Sequence, residues 1–207
     1  MTKLYYSPGT CALGVHILLE EIGKPYESQL INIRTKEQFD PKYVEINPKS
    51  KVPALQRDDG SVLTEFPAIA FWLARAHPDS KLLPDDLEGQ VRSLEAMDYL
   101  VATVHMQGFV RMLRPENFAP NAADHDAVKA RGRDIFAKGL ELVDRTLAGK
   151  NYLAGTFSIA DAALFYIEFW AATRVSVPLP DHCQAHYERL KSRSSVKRAL
   201  QAQELTV

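Results

Sequence analysis

Alternation of apolar and polar residues with a period of two stops in this chain near residue 64, and beyond that point apolar residues recur almost only at helical spacing. Such a change calls for a small α/β unit followed by an all-helical one. Lys3-Leu4-Tyr5-Tyr6 reads as a short apolar strand and Ser7-Pro8-Gly9 as a turn. A helix follows, with Thr10 as N-cap, Cys11 as its first residue, Leu13, Ile17, Leu18 and Ile22 behind it, and Gly23 as its stop. Glu27 to Ile33 alternates as a half-buried strand would. Ala54–Arg57 and Ser61–Thr64 flank Asp58-Asp59-Gly60, whose Asp-Gly pair tolerates the positive φ of a tight hairpin turn, so these two strands are antiparallel. Pro67 then opens a helical pattern through Ile69, Phe71, Trp72 and Leu73. The order is βαβ, then ββα.

The stretch Pro78 to Asp86, rich in proline and aspartate, reads as an interdomain linker. The expected division is an α/β domain over 1–78, a linker over 79–88 and an all-helical domain over 89–207. Long helices are predicted at about 89–114 and 125–147. Ser158-Ile159-Ala160-Asp161 has the form of a capping box, with Asp in place of the usual Glu, and introduces an apolar run that predicts a buried central helix. Leu190 to Leu200, with Arg189, Lys191, Arg193, Lys197 and Arg198, predicts one basic amphipathic closing helix with a solvated charged face.

Twenty-five basic and 26 acidic residues leave a net charge of −1 with no long run of either sign, which argues against nucleic acid and anionic membrane as partners. The start lacks the apolar core of a signal peptide and no apolar stretch has the length of a membrane span, so a cytoplasmic location is expected. Cys11 and Cys183 lie far apart and form no CxxC, which argues against a disulfide framework and fits a reducing compartment. His182, Cys183 and His186 do not make up a full metal-ligand set, and no metal is expected.

Two places carry chemistry on local grounds. Cys11 at a helix start sits where unsatisfied N–H groups and the positive dipole end favour a thiolate or an anionic sulfur ligand; the other reading is a small buried apolar residue. Glu65 stands just before the helix opened by Phe66-Pro67. Its carboxylate suits a ligand ammonium and the Phe66 N–H a ligand carboxylate, as an amino-acid head group would require; the other reading is a plain helix-dipole partner.

The chain resembles the cytosolic glutathione transferases, most closely the bacterial beta class. The residues that carry the likeness are Tyr5-Tyr6-Ser7-Pro8-Gly9-Thr10-Cys11, Asn47-Pro48-Lys49-Ser50-Lys51-Val52-Pro53-Ala54-Leu55, Leu63-Thr64-Glu65 with Ala68-Ile69, and Ser158-Ile159-Ala160-Asp161-Ala162. Their order and spacing span nearly the full length. The resemblance implies a thioredoxin-like N-terminal domain that binds glutathione as co-substrate, a helical-bundle C-terminal domain, a homodimer, and conjugation of glutathione to small apolar electrophiles. Glutathione-dependent thiol-disulfide exchange through Cys11 and a non-catalytic binding scaffold are the alternatives.

By position, the resemblance places Cys11 beside the glutathione sulfur and makes Val52, before a Pro53 that is cis in such folds, the backbone partner of the cysteinyl unit. It makes Glu65 and Phe66 the γ-glutamyl anchor and Lys36 the residue that reaches the glycyl carboxylate. His105 is implied near the sulfur and Asp98 at the γ-glutamyl amine of the other subunit; on an α-helix these two share a face, about 10 Å apart. Met106 and Trp170 are implied in the second-substrate pocket. Tyr5, Tyr6 and Ser7 are rival sulfur donors, Ser7 foremost. Two departures stand out. Phe66 replaces a small, often hydroxylated residue, which predicts weaker head-group binding, and Met106 replaces a polar one, which predicts a more apolar pocket.

Overall fold

The computed structural model describes residues 1–206, which form two compact units, Met1–Leu83 together with the chain from Lys191 onward, and Pro84–Leu190. In the first unit β1 (Lys3–Tyr6), α1 (Ala12–Ile22) and β2 (Glu27–Leu30) make a parallel crossover. After α2 (Pro41–Ile46), strands β3 (Ala54–Gln56) and β4 (Val62–Thr64) form the antiparallel hairpin and α3 (Phe66–Ala76) follows. The strand order is β2-β1-β3-β4, with Leu4 level with Ser28 on one side and Leu55 on the other. The hairpin closes as Asp-Gly predicts. Gly60 has φ 84° and donates its N–H to the Arg57 carbonyl at 2.9 Å. Gly23, at φ 69°, caps α1 by donating to the Leu19 carbonyl.

Three local expectations need correction. Helix α1 starts at Ala12, with Cys11 in the capping position, although the Thr10 hydroxyl still accepts the Ala12 N–H at 3.4 Å. Strand β2 is four residues long and all four are exposed, because it is the sheet edge; the apolar signal came from Ile31 just past its end, which is 1% exposed. The closing basic segment is broken by extended backbone at Arg193 (φ −65°, ψ 138°), between α8 (Asp181–Ser192) and α9 (Ser194–Ala202). Lys197 and Arg198 lie on an exposed face as expected, but part of the charge is also paired. Arg193 makes two 2.8 Å bonds to the Glu21 carboxylate, Ser195 bonds the same group, and Arg198 reaches the Glu20 carboxylate and, at 2.9 Å, the Glu20 carbonyl. Those bonds fasten α9 to α1, so the end of the chain packs with the sheet-bearing unit.

The second unit begins with α4 (Leu87–Asp98), which runs without interruption into an eleven-residue π-helical segment, Tyr99–Phe109, and then α5 (Val110–Leu113). The sequence predicted one α-helix here; the wider winding appears as the Val110 N–H reaching the His105 carbonyl five residues back. Helix α6 (His125–Leu147) matches its predicted bounds and packs closely on the π-helical segment through glycines. A Cβ on Gly132 would sit 2.8 Å from the Gly108 carbonyl oxygen and 2.6 Å from Arg111 Cβ. Gly132→Ala is therefore expected to destabilise by about 1–3 kcal/mol in urea unfolding, although alanine is the better helix former by about 1 kcal/mol. An unchanged or raised midpoint would refute this account of the contact.

Helix α7 (Ile159–Trp170) carries the predicted capping box and is buried along its whole length. Two of its buried residues are acidic. Asp161 accepts the N–H groups of Leu153 (2.9 Å) and Ser158 (2.8 Å) and faces His186 Nε2 at 3.2 Å, while Glu168 meets His186 Nδ1 at 2.9 Å. Burial alone would lower the His186 pKa, but the Glu168 and Asp161 carboxylates outweigh it and hold the ring protonated. His186 thus spends both nitrogens on carboxylates of α7, and its neighbours face elsewhere, His182 toward Asp144 and Cys183 toward the Leu140 carbonyl.

Candidate active site

Cys11 sits at the end of a turn closed by Thr10, whose N–H and hydroxyl both donate to the Ser7 carbonyl at 3.2 and 2.8 Å, with Gly9 at φ 64° between them. The thiol donates to the Val52 carbonyl at 3.7 Å. Its pKa is pushed up to about 12, chiefly by burial; the backbone N–H groups of Cys11 and Ala12 and the Lys51 charge pull it down, and Glu65 pushes it up. This corrects the expectation of a thiolate. The helix start acts in the predicted direction, but desolvation is larger. Burial thus keeps the Cys11 thiol in its protonated form around pH 7, so the group is an S–H donor. Two rival donors are already engaged, Tyr5 with the Gln56 side chain at 3.2 Å and Tyr6 with the Ala202 carbonyl at 3.5 Å, and Ser7 is buried.

Val52–Pro53 is cis, as the thioredoxin-like reading expects. The loop before it is held by Tyr43 and Asn47, whose hydroxyl and amide both donate to the Lys51 carbonyl at 2.6 and 2.7 Å. At the N-terminus of α3, Glu65 has φ 69° and ψ 123°, and its side chain makes no capping bond. A non-glycine residue there costs of order 1–3 kcal/mol and persists only where the surrounding structure over-determines it. Its exposed carboxylate accepts from Lys49 Nζ at 2.7 Å, and Lys49 also bonds the Thr64 hydroxyl at 2.9 Å. Phe66, the first residue of α3, is buried. Sequence reasoning missed Lys49, whose contact spans 16 residues and has no local signature. Lys36 has φ 64° and opens a short turn over Glu37–Phe39; its ammonium is exposed and has no ion-pair partner among the described residues.

In the second unit His105 lies on the π-helical segment, edge-on to Trp170 (ring centroids 4.7 Å apart), Tyr166 (5.7 Å) and Phe109 (6.4 Å). Trp170 is 3% exposed and stacks on Phe109 at 3.9 Å, whereas Met106 beside His105 is 38% exposed. Asp98, the last residue of α4, is exposed and His105 half-buried. The seven-residue spacing returns to one face only at α-helical pitch, and the wider winding from Tyr99 onward removes that recurrence. Asp98 and His105 therefore do not recur on one helix face.

With this geometry in place, the comparisons with known proteins are decisive. Residues 9–76 match the family described as "Glutathione S-transferase, N-terminal domain" and residues 126–189 the one described as "Glutathione S-transferase, C-terminal domain". The glutathione S-transferase GstA of Escherichia coli O157:H7 is 34% identical over 98% of this chain and 99% of its own. The chain belongs to the glutathione S-transferase family. Among solved structures, a glutathione transferase homolog from Sulfitobacter with bound glutathione superposes with a TM-score of 0.89 at 28% identity, covering 100% of this chain and 99% of the other. The beta-class enzyme of Sphingomonas chungbukensis gives 0.83 at 32% identity, covering 99% and 100%. The fold of this glutathione S-transferase family member is accordingly a thioredoxin-like α/β domain with an all-helical C-terminal domain. No helix among the described residues is long and apolar enough to cross a membrane.

Proposed function

We propose that this protein joins the thiol of reduced glutathione to small apolar electrophiles, as a cytoplasmic homodimer of the beta-class type. The observation that carries this reading is the Cys11 thiol resting on the Val52 carbonyl at 3.7 Å, which sets a neutral S–H beside the backbone that would pair with the cysteinyl unit of glutathione. In the reaction glutathione loses its thiol proton, its sulfur forms a bond to the electrophilic carbon, and the leaving group departs with the electron pair of the broken bond. Before that attack the single Cys11 S–H turns from the Val52 carbonyl, which the cysteinyl unit of glutathione then takes up, and donates to the glutathione thiolate. Val52 and Pro53 present the backbone edge, Glu65 and the Phe66 N–H hold the γ-glutamyl head group, Lys36 the glycyl carboxylate, and Asp98 the amine across the dimer. His105 serves as the proton carrier near the sulfur, and Met106 and Trp170 form apolar walls for the second substrate.

Lowering a thiol pKa from about 8.5 to about 6.5 raises its thiolate fraction at pH 7 from about 3% to about 75%, but weaker intrinsic nucleophilicity leaves only about a threefold net gain. Placing sulfur and electrophile together must supply the rest. Disulfide exchange would need Cys11 as an attacking thiolate, and its raised pKa weighs against that. The test is conjugation of an aryl halide such as chlorodinitrobenzene. Cys11→Ala is expected to lose about tenfold in kcat, the worth of one hydrogen bond to a charged acceptor, and Cys11→Ser to keep most activity because a hydroxyl also donates. Equal loss in both variants would remove the donor role. An inactive wild type would remove the transferase reading itself.

A further inference from the structure

The turn that carries Cys11 is met by a residue from the far end of the chain. Gln203, buried at the end of α9, accepts the Gly9 N–H on Oε1 at 2.9 Å and places Nε2 3.1 Å from Nδ1 of His16 on α1. The orientation of this amide is fixed by chemistry, since a backbone N–H can only donate and the atom facing it must be oxygen. The nitrogen therefore faces His16 and donates, which requires an unprotonated Nδ1. His16 is buried edge-on between Tyr6 (5.5 Å) and Tyr26 (5.6 Å), and burial lowers its pKa to about 4, so the ring is neutral and able to accept. One residue before Gln203, the Ala202 carbonyl takes the Tyr6 hydroxyl at 3.5 Å. Two successive residues of the C-terminal segment thus grip the chain on both sides of Ser7-Pro8, and Gln203 also ties that turn to the helix that starts just after Cys11.

We propose that Gln203 is a positioning residue for Cys11, and that its two hydrogen bonds set where the thiol lies relative to the Val52 carbonyl. The contribution to conjugation rests on the function proposed above; the placement of the thiol does not. Nothing in the run Ala202-Gln203-Glu204 marks this role, because the partner lies 194 residues away.

Gln203→Met keeps the side chain's length and removes both hydrogen bonds, so it isolates the proposed role. In the intact protein, well below its melting temperature, alkylation by iodoacetamide is followed at each cysteine by mass spectrometry. Cys11 is expected to react at least threefold faster in the variant, because a displaced turn lets water reach the thiol, while the buried Cys183 of the other unit reports any global loosening and is expected to stay unchanged. With chlorodinitrobenzene, kcat is expected to fall about tenfold with KM for glutathione within twofold, since misplacing a reacting group costs rate more than ground-state binding. An unchanged or slower Cys11, or equal acceleration of both cysteines, would overturn the proposal. A wild type inactive in conjugation would count against the transferase reading alone, and the alkylation rates would still decide this one. Should Gln203→Met fail to fold, Gln203→Asn, one methylene too short to make both bonds, is judged by the same two rates.

Discussion

His186→Leu is expected to cost about 3–5 kcal/mol and to lower the melting temperature by roughly 6–20 °C. The substitution leaves Glu168 in a fully buried helix without the ring that holds both its oxygens, and deprives Asp161 of one of its partners. An uncompensated buried carboxylate is far more costly than the intact pair is stabilising, so His186→Leu combined with Glu168→Leu is expected to recover most of the loss. Full additivity of the two single substitutions would refute this coupling. The network also gives stability a pH dependence of definite sign. His186 is raised from its ordinary 6.5 to about 10, so its contribution is complete below about pH 6.5 and is lost as the pH rises through about 10. Burial raises Glu168 too, which acts in the same direction. Urea midpoints measured between pH 6.5 and 10 should therefore fall in the wild type and flatten in the double variant.

Glu65→Gly should raise stability by up to about 1–3 kcal/mol while raising the glutathione KM roughly ten- to hundredfold. The gain comes from relieving a non-glycine residue at φ 69°. Little is lost with the Lys49 ion pair, because both side chains are more than half exposed and surface pairs contribute about 0–1 kcal/mol. The loss in binding is that of a hydrogen bond to a charged ammonium, worth about 1.5–3 kcal/mol. Opposite movement of stability and affinity is the signature to look for in melting curves and KM. A variant that is more stable and binds glutathione as before would show that the strained carboxylate has no part in holding the head group.

Much of this molecule was legible from near neighbours. The Asp-Gly hairpin, the bounds of α6 and the Ser158–Asp161 capping box each depend on residues within a few positions of one another, where propensity and pattern act directly. What escaped depends on distance. Asp161 was readable as a cap but not as a partner of His186, 25 residues on, and Lys49 was invisible as the partner of Glu65. For Cys11, the helix start could be read locally, whereas the burial that reverses its pKa is supplied by the packed unit. The shared face expected for Asp98 and His105 was lost for another reason, because apolar spacing does not distinguish an α-helix from the wider winding over Tyr99–Phe109.

The pairing of α1 with α9 bears on how the protein is made. Ribosomes deliver residues at roughly 5–20 per second, and the 107 residues of Pro84–Leu190 emerge between the two parts of the sheet-bearing unit. For some 5–20 s that unit therefore waits, with the acceptors Glu20 and Glu21 and the Gly9 N–H already exported, while Arg193, Arg198 and Gln203 have yet to be translated. The nascent N-terminal domain must outlast this interval without the hydrogen bonds that Gln203 gives the Gly9 turn and that Arg193 and Arg198 give α1.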